Sequence, residues 1–537
     1  MVIMMTISNV IAIILFSWTA IIIGCGASHD AMQCNHGHSG PPPPPTLPAS
    51  GDTPLPRVRP PPAQRTFASP AVERALARLV DGDKKWILPD LATLFYNCLP
   101  NTLDTTVWSA PKNGTSATTF LSTGDIPAMW LRDSQNQALP YLRFAKQEPD
   151  GIGALIRGLI ARHVDSVLAD PYANSFSFSP ADIACDADAW LKDNTTKLDR
   201  SGDRVDGMSI PVHQRKWEMD SLASVLRLAR MYYEATGDAQ PLGKRFLDAT
   251  RLIVATYRAM QQPLTADNFT KVNYTFKTLT TEPKDTSPHG IGRGHRWTGM
   301  IRTSFLPSDD SPRFNYHIPG NAFAAAELSK MAAILSNVTR SAKDLVADMY
   351  ALSGDINAGI ERHGIVMHAS GKRVYAMEVD GFGNFFFADD ANPPSLLSLP
   401  LIANIDVSDE VYTNTRKLIL SSDTNPFYYG SSDIRSDDIG GVGSEDASGN
   451  AGLGHVWGLS LVIRLLTIDG SSPSARDEAA WILKGIVKSS GGTGLMHESF
   501  WYNDPSRYTR YWFAMANSYL GEGILSVAES HPEWLFR

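Results

Sequence analysis

The sequence predicts an all-α fold, an (α/α)6 toroid of helical hairpins around a central axis, with minor β elements in its loops. Three observations predict it. Apolar residues recur at i, i+3, i+4 and i+7 in Pro70–Val80, Gly153–Ala169, Asp220–Thr236, Leu242–Gln261, Asn321–Ser336, Ala342–Arg362, His455–Thr467, Ala475–Ser489 and Phe513–Glu529. These segments are spaced as antiparallel hairpins require, about twelve helices with the weaker segments included. Strand-like alternation is scarce, Gly371–Val379 being the best example.

Taken in chain order, Met1 to Ser28 carries no charged side chain, and Ile7 to Ile23 is almost wholly apolar. Residues 1–29 are read as a signal peptide or a retained signal anchor, a possible membrane tether. Either reading directs the chain to the secretory pathway, as a secreted or membrane-anchored protein. Residues 30–66 are read as a linker, because Pro41–Pro45 and Pro60–Pro62 impose extended polyproline geometry. Residues 67–537 then form one helical domain, larger than most single cores but within the range of barrels. Asp220 and Ser472-Pro473 read as helix starts.

A composition of 43% hydrophobic and 19% charged residues excludes global disorder. A net charge of −8 leaves no basic footprint, so nucleic acid is not an expected partner. Of the 4 cysteines, Cys98 and Cys185 fall in the body, where one disulfide or two free thiols are both open. Sequons at Asn113, Asn194, Asn268, Asn273 and Asn337 lend mild support to secretion.

Chemistry-bearing clusters lie between the helices. Trp130, Arg132 and Asp133 offer a flat apolar face, donors and acceptors, as a pyranose requires; the plain alternative is a surface ion pair worth under about 1 kcal/mol. In Lys216-Trp-Glu-Met-Asp-Ser221, Asp220 is either a helix cap or a desolvated carboxyl with a raised pKa. Asp309, Asp310 and Asn321 form a third group, and Asp380, Asp390 and Asn392 a fourth. Neither Asp309-Asp310 nor Asp389-Asp390 has the alternating oxygens of a calcium loop, so no metal or other cofactor is expected. His455 and Trp457 head another helix. Glu498, beside His497 and followed by aromatics and Arg510, has the setting of a general base, the alternative being a surface carboxylate. Two carboxylates from distant loops, with no nucleophile elbow or nucleotide-binding loop, form the pattern of glycoside hydrolysis.

From about Phe95 to Leu525 the chain resembles glycoside hydrolase family 125, metal-independent exo-α-1,6-mannosidases with an (α/α)6 barrel. The strings that carry the resemblance are Asn97-Cys-Leu-Pro-Asn-Thr-Leu-Asp-Thr-Thr-Val107, Asp125-Ile-Pro-Ala-Met-Trp-Leu-Arg-Asp-Ser134, Asp389-Asp-Ala-Asn392 with Pro394-Ser-Leu-Leu-Ser-Leu-Pro400, and Met496-His-Glu-Ser-Phe500. The resemblance implies an inverting enzyme with Asp220 as general acid and Glu498 as general base. It also places Arg132 and Asp133 in the terminal-sugar pocket. The chain departs from the family pattern at Gly320-Asn-Ala-Phe323, Trp457-Gly-Leu459 and 443–448, which bears on linkage preference. The expected partner is a mannose-containing glycan, bound by a monomer. A calcium-dependent α-1,2-mannosidase, a non-catalytic, membrane-tethered mannan-binding protein and a different toroid hydrolase acting on glucosides are the rival expectations.

Overall fold

Helices form where apolar spacing predicts them, and they account for most of the regular structure in this computed structural model. It describes residues 54–111, 118–178, 196–198, 204–206, 212–266, 274–276, 287–445 and 453–537. Pro70–Val80 and Ala475–Ser489 match their predicted bounds. Ile152–Ala169, Met219–Thr236, Lys244–Met260, Ile318–Val338, Lys343–Gly359 and Ala514–Ser530 lie within a few residues of theirs. Gly458–Leu466 is shorter than expected because His455–Trp457 is a strand. The leader and most of the linker lie outside the described residues. No helix among the described residues is long and apolar enough to cross a membrane.

Helices Pro89–Cys98, Leu131–Ala138 and Glu410–Ile419 were not expected from periodicity. Leu131–Ala138 reads Leu-Arg-Asp-Ser-Gln-Asn-Gln-Ala, and every one of its residues is buried. Polar and apolar positions alike face the interior, so it has no solvent side from which a period could be read.

Helix contacts run in sequence through the chain. Leu131–Ala138 packs on Met219–Thr236, which packs on Ile318–Val338, which meets the short Leu399–Ile402 helix. Ala514–Ser530 packs on both Gly458–Leu466 and Leu131–Ala138. A second set lies against these: Ile152–Ala169 on Met219–Thr236, Lys343–Gly359 on Ile318–Val338, and Ala475–Ser489 on Gly458–Leu466. Small antiparallel sheets of two or three strands decorate the loops. Several strands feed helix starts directly: Ala128–Trp130 leads into Leu131, Tyr316–His317 into Ile318, and His455–Trp457 into Gly458. The expected strand Gly371–Val379 is two shorter ones, Arg373–Tyr375 and Glu378–Val379.

Three expectations are corrected. Residues 54–66, read as linker, are fastened to the body: Leu55 N–H donates to Asp90 Oδ1 at 3.0 Å, and Arg59 Nε donates to Asp104 Oδ2 at 2.8 Å. Proline-rich extended chain docks here because its free N–H groups and arginines find side-chain acceptors on the body. Asp220 does not cap its helix; Glu218 holds the cap position and Asp220 sits inside the first turn. Ser474 occupies the cap position of Ala475–Ser489, without a side-chain cap bond, rather than Ser472-Pro473. Cys98 is buried and has no disulfide partner among the described residues, and Cys185 lies outside them.

One buried group gives the fold a pH dependence. Glu378, in a strand paired on both sides, is wholly buried and accepts from Phe314 N–H at 2.8 Å. Desolvation pushes its carboxyl up from 4.5 to about 7. A raised carboxyl contributes stability below its unfolded pKa that is lost as pH rises through the folded value. Glu378→Gln is therefore expected to flatten urea-unfolding stability between pH 5 and 8, by roughly 3 kcal/mol at most. An unchanged pH dependence in the variant would show that Glu378 does not supply it.

Candidate active site

Helix starts bring the predicted carboxylates together. Arg132 and Asp133 enter on the first turn of Leu131–Ala138, and Asp220 on the first turn of Met219–Thr236, which packs on it. Arg132 is 3% exposed, so the surface ion-pair alternative is excluded. Its Nη1 donates to Glu218 Oε2 at 2.5 Å and to Asp220 Oδ2 at 3.2 Å, while Nε lies 3.4 Å from Asp133 Oδ1. Glu218 Oε1 accepts from Asn174 Nδ2 at 2.8 Å. Asp309 stands across from them at φ 74°, a left-handed conformation that side chains other than glycine adopt at a cost. Lys216 Nζ reaches its Oδ1 at 3.3 Å.

Charge decides the behaviour of this cluster. Asp133, Glu218, Asp220 and Asp309 all act on Arg132, and Lys216 is the further cation paired with Asp309. Three ionised carboxylates, Asp133, Glu218 and Asp220, would face the one guanidinium of Arg132 away from water, so retention of a proton is favoured. Burial raises the Asp220 carboxyl above its ordinary value, against the pull of Arg132. Burial likewise raises Glu218, and lifts Asp133 to about 6. Asp309 is the exception. Its side chain is 44% exposed, and although the surrounding walls cost it solvation, Lys216 and Arg132 hold it below the ordinary carboxylate range.

Glu498 immediately precedes the strand Ser499–Trp501 and is 7% exposed. Thr509 Oγ1 donates to its Oε2 at 3.3 Å, and Arg510 Nε stands 3.5 Å away. Arg510, itself at φ 44°, donates from Nη1 to both carboxylate oxygens of Asp125 at 3.0 Å each. The guanidinium stays charged against burial because Glu498, Asp125 and Asp309 act on it. Asp309 thus acts on both arginines, which ties the Asp220 and Glu498 clusters electrostatically.

Asp390 and Asn392 adjoin this centre. Ser308 Oγ donates to Asp390 Oδ2 at 2.5 Å and to Asp310 Oδ2 at 3.3 Å, and Asn392 Nδ2 donates to Pro307 O at 2.7 Å. Burial lifts Asp390 to about 6. Trp130 packs edge-on to His213, His455 edge-on to Trp501, and Trp457 edge-on to Phe513. The indole N–H groups of Trp457 and Trp512, the Gln135 amide and Asn392 Oδ1 are buried and have no hydrogen-bond partner among the described residues. Such atoms retain hydrogen-bonding capacity that hydroxyl groups can use.

Three predicted sugar-binding residues have other work. Asn321 spends its amide on Ile301 N–H, Ile301 O and His317 O, clamping loop to helix. Asp380 uses both oxygens on Phe382 N–H and on Asn384 N–H and Nδ2, closing its own turn. His497 stacks on Tyr508 at 3.7 Å, and its ring contacts Thr493 Oγ1, Ser490 O and Arg510 O. Burial lowers it to about 4, so it is a neutral brace beside Glu498. Sequence reasoning missed Glu218, Lys216 and Asp125 as site residues. The first two lie within the segment that supplied Asp220, and Asp125 opens the string that supplied Arg132.

Known proteins resemble this chain along most of its length. A family model for metal-independent α-mannosidases, GH125, matches residues 88–525. The meiotically up-regulated gene 157 protein of Schizosaccharomyces pombe is 37% identical over 498 residues, covering 91% of each chain. A metal-independent α-mannosidase of Streptococcus pneumoniae, solved in a non-productive complex with α-1,6-mannobiose, has a TM-score of 0.72 at 34% identity; the match covers 86% of this chain and 99% of that one. With its family model spanning most of the folded body and relatives similar along nearly their whole length, the chain belongs to the GH125 family of metal-independent α-mannosidases and is a glycoside hydrolase.

Proposed function

We propose that this α-mannosidase removes terminal α-1,6-linked mannose from the non-reducing end of a glycan, by single displacement with inversion. The observation that carries the reading is the contrast between two carboxyls. Asp220 lies in a buried cluster with more carboxylates than cations, which favours its protonated form. Glu498 has the Arg510 guanidinium 3.5 Å away and accepts from the Thr509 hydroxyl at 3.3 Å. Environments that separate two carboxyls in this way divide acid from base.

In the reaction, the Asp220 proton passes to the glycosidic oxygen as the bond from C1 to that oxygen breaks. Glu498 takes a proton from water as the water oxygen bonds to C1 from the opposite face. The turnover leaves Asp220 ionised and Glu498 protonated, and proton exchange with solvent restores both. Asp309, Asp390, Asn392 and the indole N–H groups of Trp457 and Trp512 are assigned to the sugar hydroxyls. The α-1,6-mannobiose held by the S. pneumoniae relative supports the linkage. The sequential helix contacts support a closed toroid, with Arg132, Asp220 and Trp457 at helix starts. The uncharged leader supports entry into the secretory pathway.

The test is hydrolysis of α-1,6-, α-1,2- and α-1,3-mannobiose with and without EDTA. Cleavage of the α-1,6 disaccharide alone, unaltered by chelator, is expected. Preferential α-1,2 cleavage abolished by EDTA would overturn the assignment in favour of a calcium enzyme.

A further inference from the structure

We propose that residues 54–66 act as a strap that positions the loop carrying Glu498, with Asn97 as the positioning residue between them. The inference rests on the assignment of Glu498 as base. Asn97 is 1% exposed, near the end of the Pro89–Cys98 helix, and its amide is fully used. Oδ1 accepts from Val58 N–H of the strap at 3.1 Å. Nδ2 donates to Pro56 O of the strap at 2.9 Å and to Gly494 O at 2.9 Å. One side chain therefore joins the strap to a backbone position four residues before Glu498.

Contacts on both sides are close enough to transmit position. Gly494 has φ 79°, and a Cβ there would stand 2.7 Å from Pro56 O and 2.9 Å from Asn97 Nδ2. Between Gly494 and Glu498, Met496 N–H donates to Asn517 Oδ1 at 3.0 Å, the atom that also meets Cys98 Sγ at 2.9 Å. Adjacent residues at one helix end thus reach two points of the same loop. The strap is itself anchored. Arg59, with a side chain only 3% exposed, bonds Asp104 at 2.8 Å and Glu73 at 2.6 Å. Arg57 lies over the Tyr96 ring at 4.3 Å. A carboxylate that activates water needs its place held to within a fraction of an ångström, and a shift of about 1 Å costs roughly a hundredfold.

The full-length chain tests this with Asn97→Asp, which removes the amide donor to Gly494 and Pro56, and with Val58→Pro, which removes the strap N–H together with the Val58 side chain. Both are expected to lower kcat on α-1,6-mannobiose by about ten- to a hundredfold, with KM changed less than about threefold and the acid limb of the kcat/KM profile displaced. Wild-type kcat and pH profile in a cooperatively folded Val58→Pro protein would overturn the proposal, as would a rise in KM alone. If Asn97→Asp does not fold, Val58→Pro decides. Glu498→Gln is run alongside: full activity there would refute the base assignment, whereas an inactive Glu498→Gln with a normal Val58→Pro refutes the strap alone.

Discussion

Asp220→Asn is expected to lower kcat on α-1,6-mannobiose by about a thousandfold or more, in line with loss of a positioned general acid. The amide keeps the shape and the contact to Arg132 but has no proton to give to the leaving oxygen. Binding of the disaccharide is expected to change little, because the loss falls on the transition state. α-Mannosyl fluoride, whose leaving group needs no proton, is expected to be hydrolysed by the variant at near its normal rate. The two substrates measured side by side check the role. Equal losses on both would mean that Asp220 is not the acid.

The second large effect is expected at Arg132. Its guanidinium is in contact with Asp133, Glu218 and Asp220, all of them buried. Arg132→Met keeps the aliphatic bulk and removes the charge, leaving Glu218 and Asp220 without their shared donor. Breaking a buried pair from one side costs about 3–5 kcal/mol. The expected result is a lowered urea midpoint together with activity reduced by at least about a hundredfold, since Asp220 is no longer oriented. The stability loss should be smaller at pH 5 than at pH 8, because the carboxyls left behind are protonated more readily at low pH. A variant with normal stability would show that the guanidinium is not holding the cluster.

The sequence made most of the helices legible. Where a helix has one face on the core and one in water, as in Pro70–Val80, apolar period and bounds agreed with the structure. Leu131–Ala138 was illegible for the opposite reason, being polar in sequence and buried on every side. The site was legible in parts. Asp220, Arg132 and Asp133 come together through neighbouring helix starts, and Asp390 and Asn392 lie beside them. What spacing does not reveal is the direction of a side chain. Asn321, Asp380 and His497 have sugar-binding chemistry, but their polar atoms close local backbone instead. Glu218 was hidden by proximity to Asp220, because only the fold shows that Arg132 reaches both. The docking of residues 54–66 was unreadable from proline content, since its acceptors Asp90, Asn97 and Asp104 lie 35 to 45 positions further along.

The central claim is a division of labour between Asp220 and Glu498 across an inverting gap. Proton NMR of the first-formed sugar during cleavage of α-1,6-mannobiose tests it most directly. The account predicts that β-mannose appears first and only later mutarotates toward the α anomer. α-Mannose as the initial product would mean retention, and Glu498 could not then be the base of a single displacement.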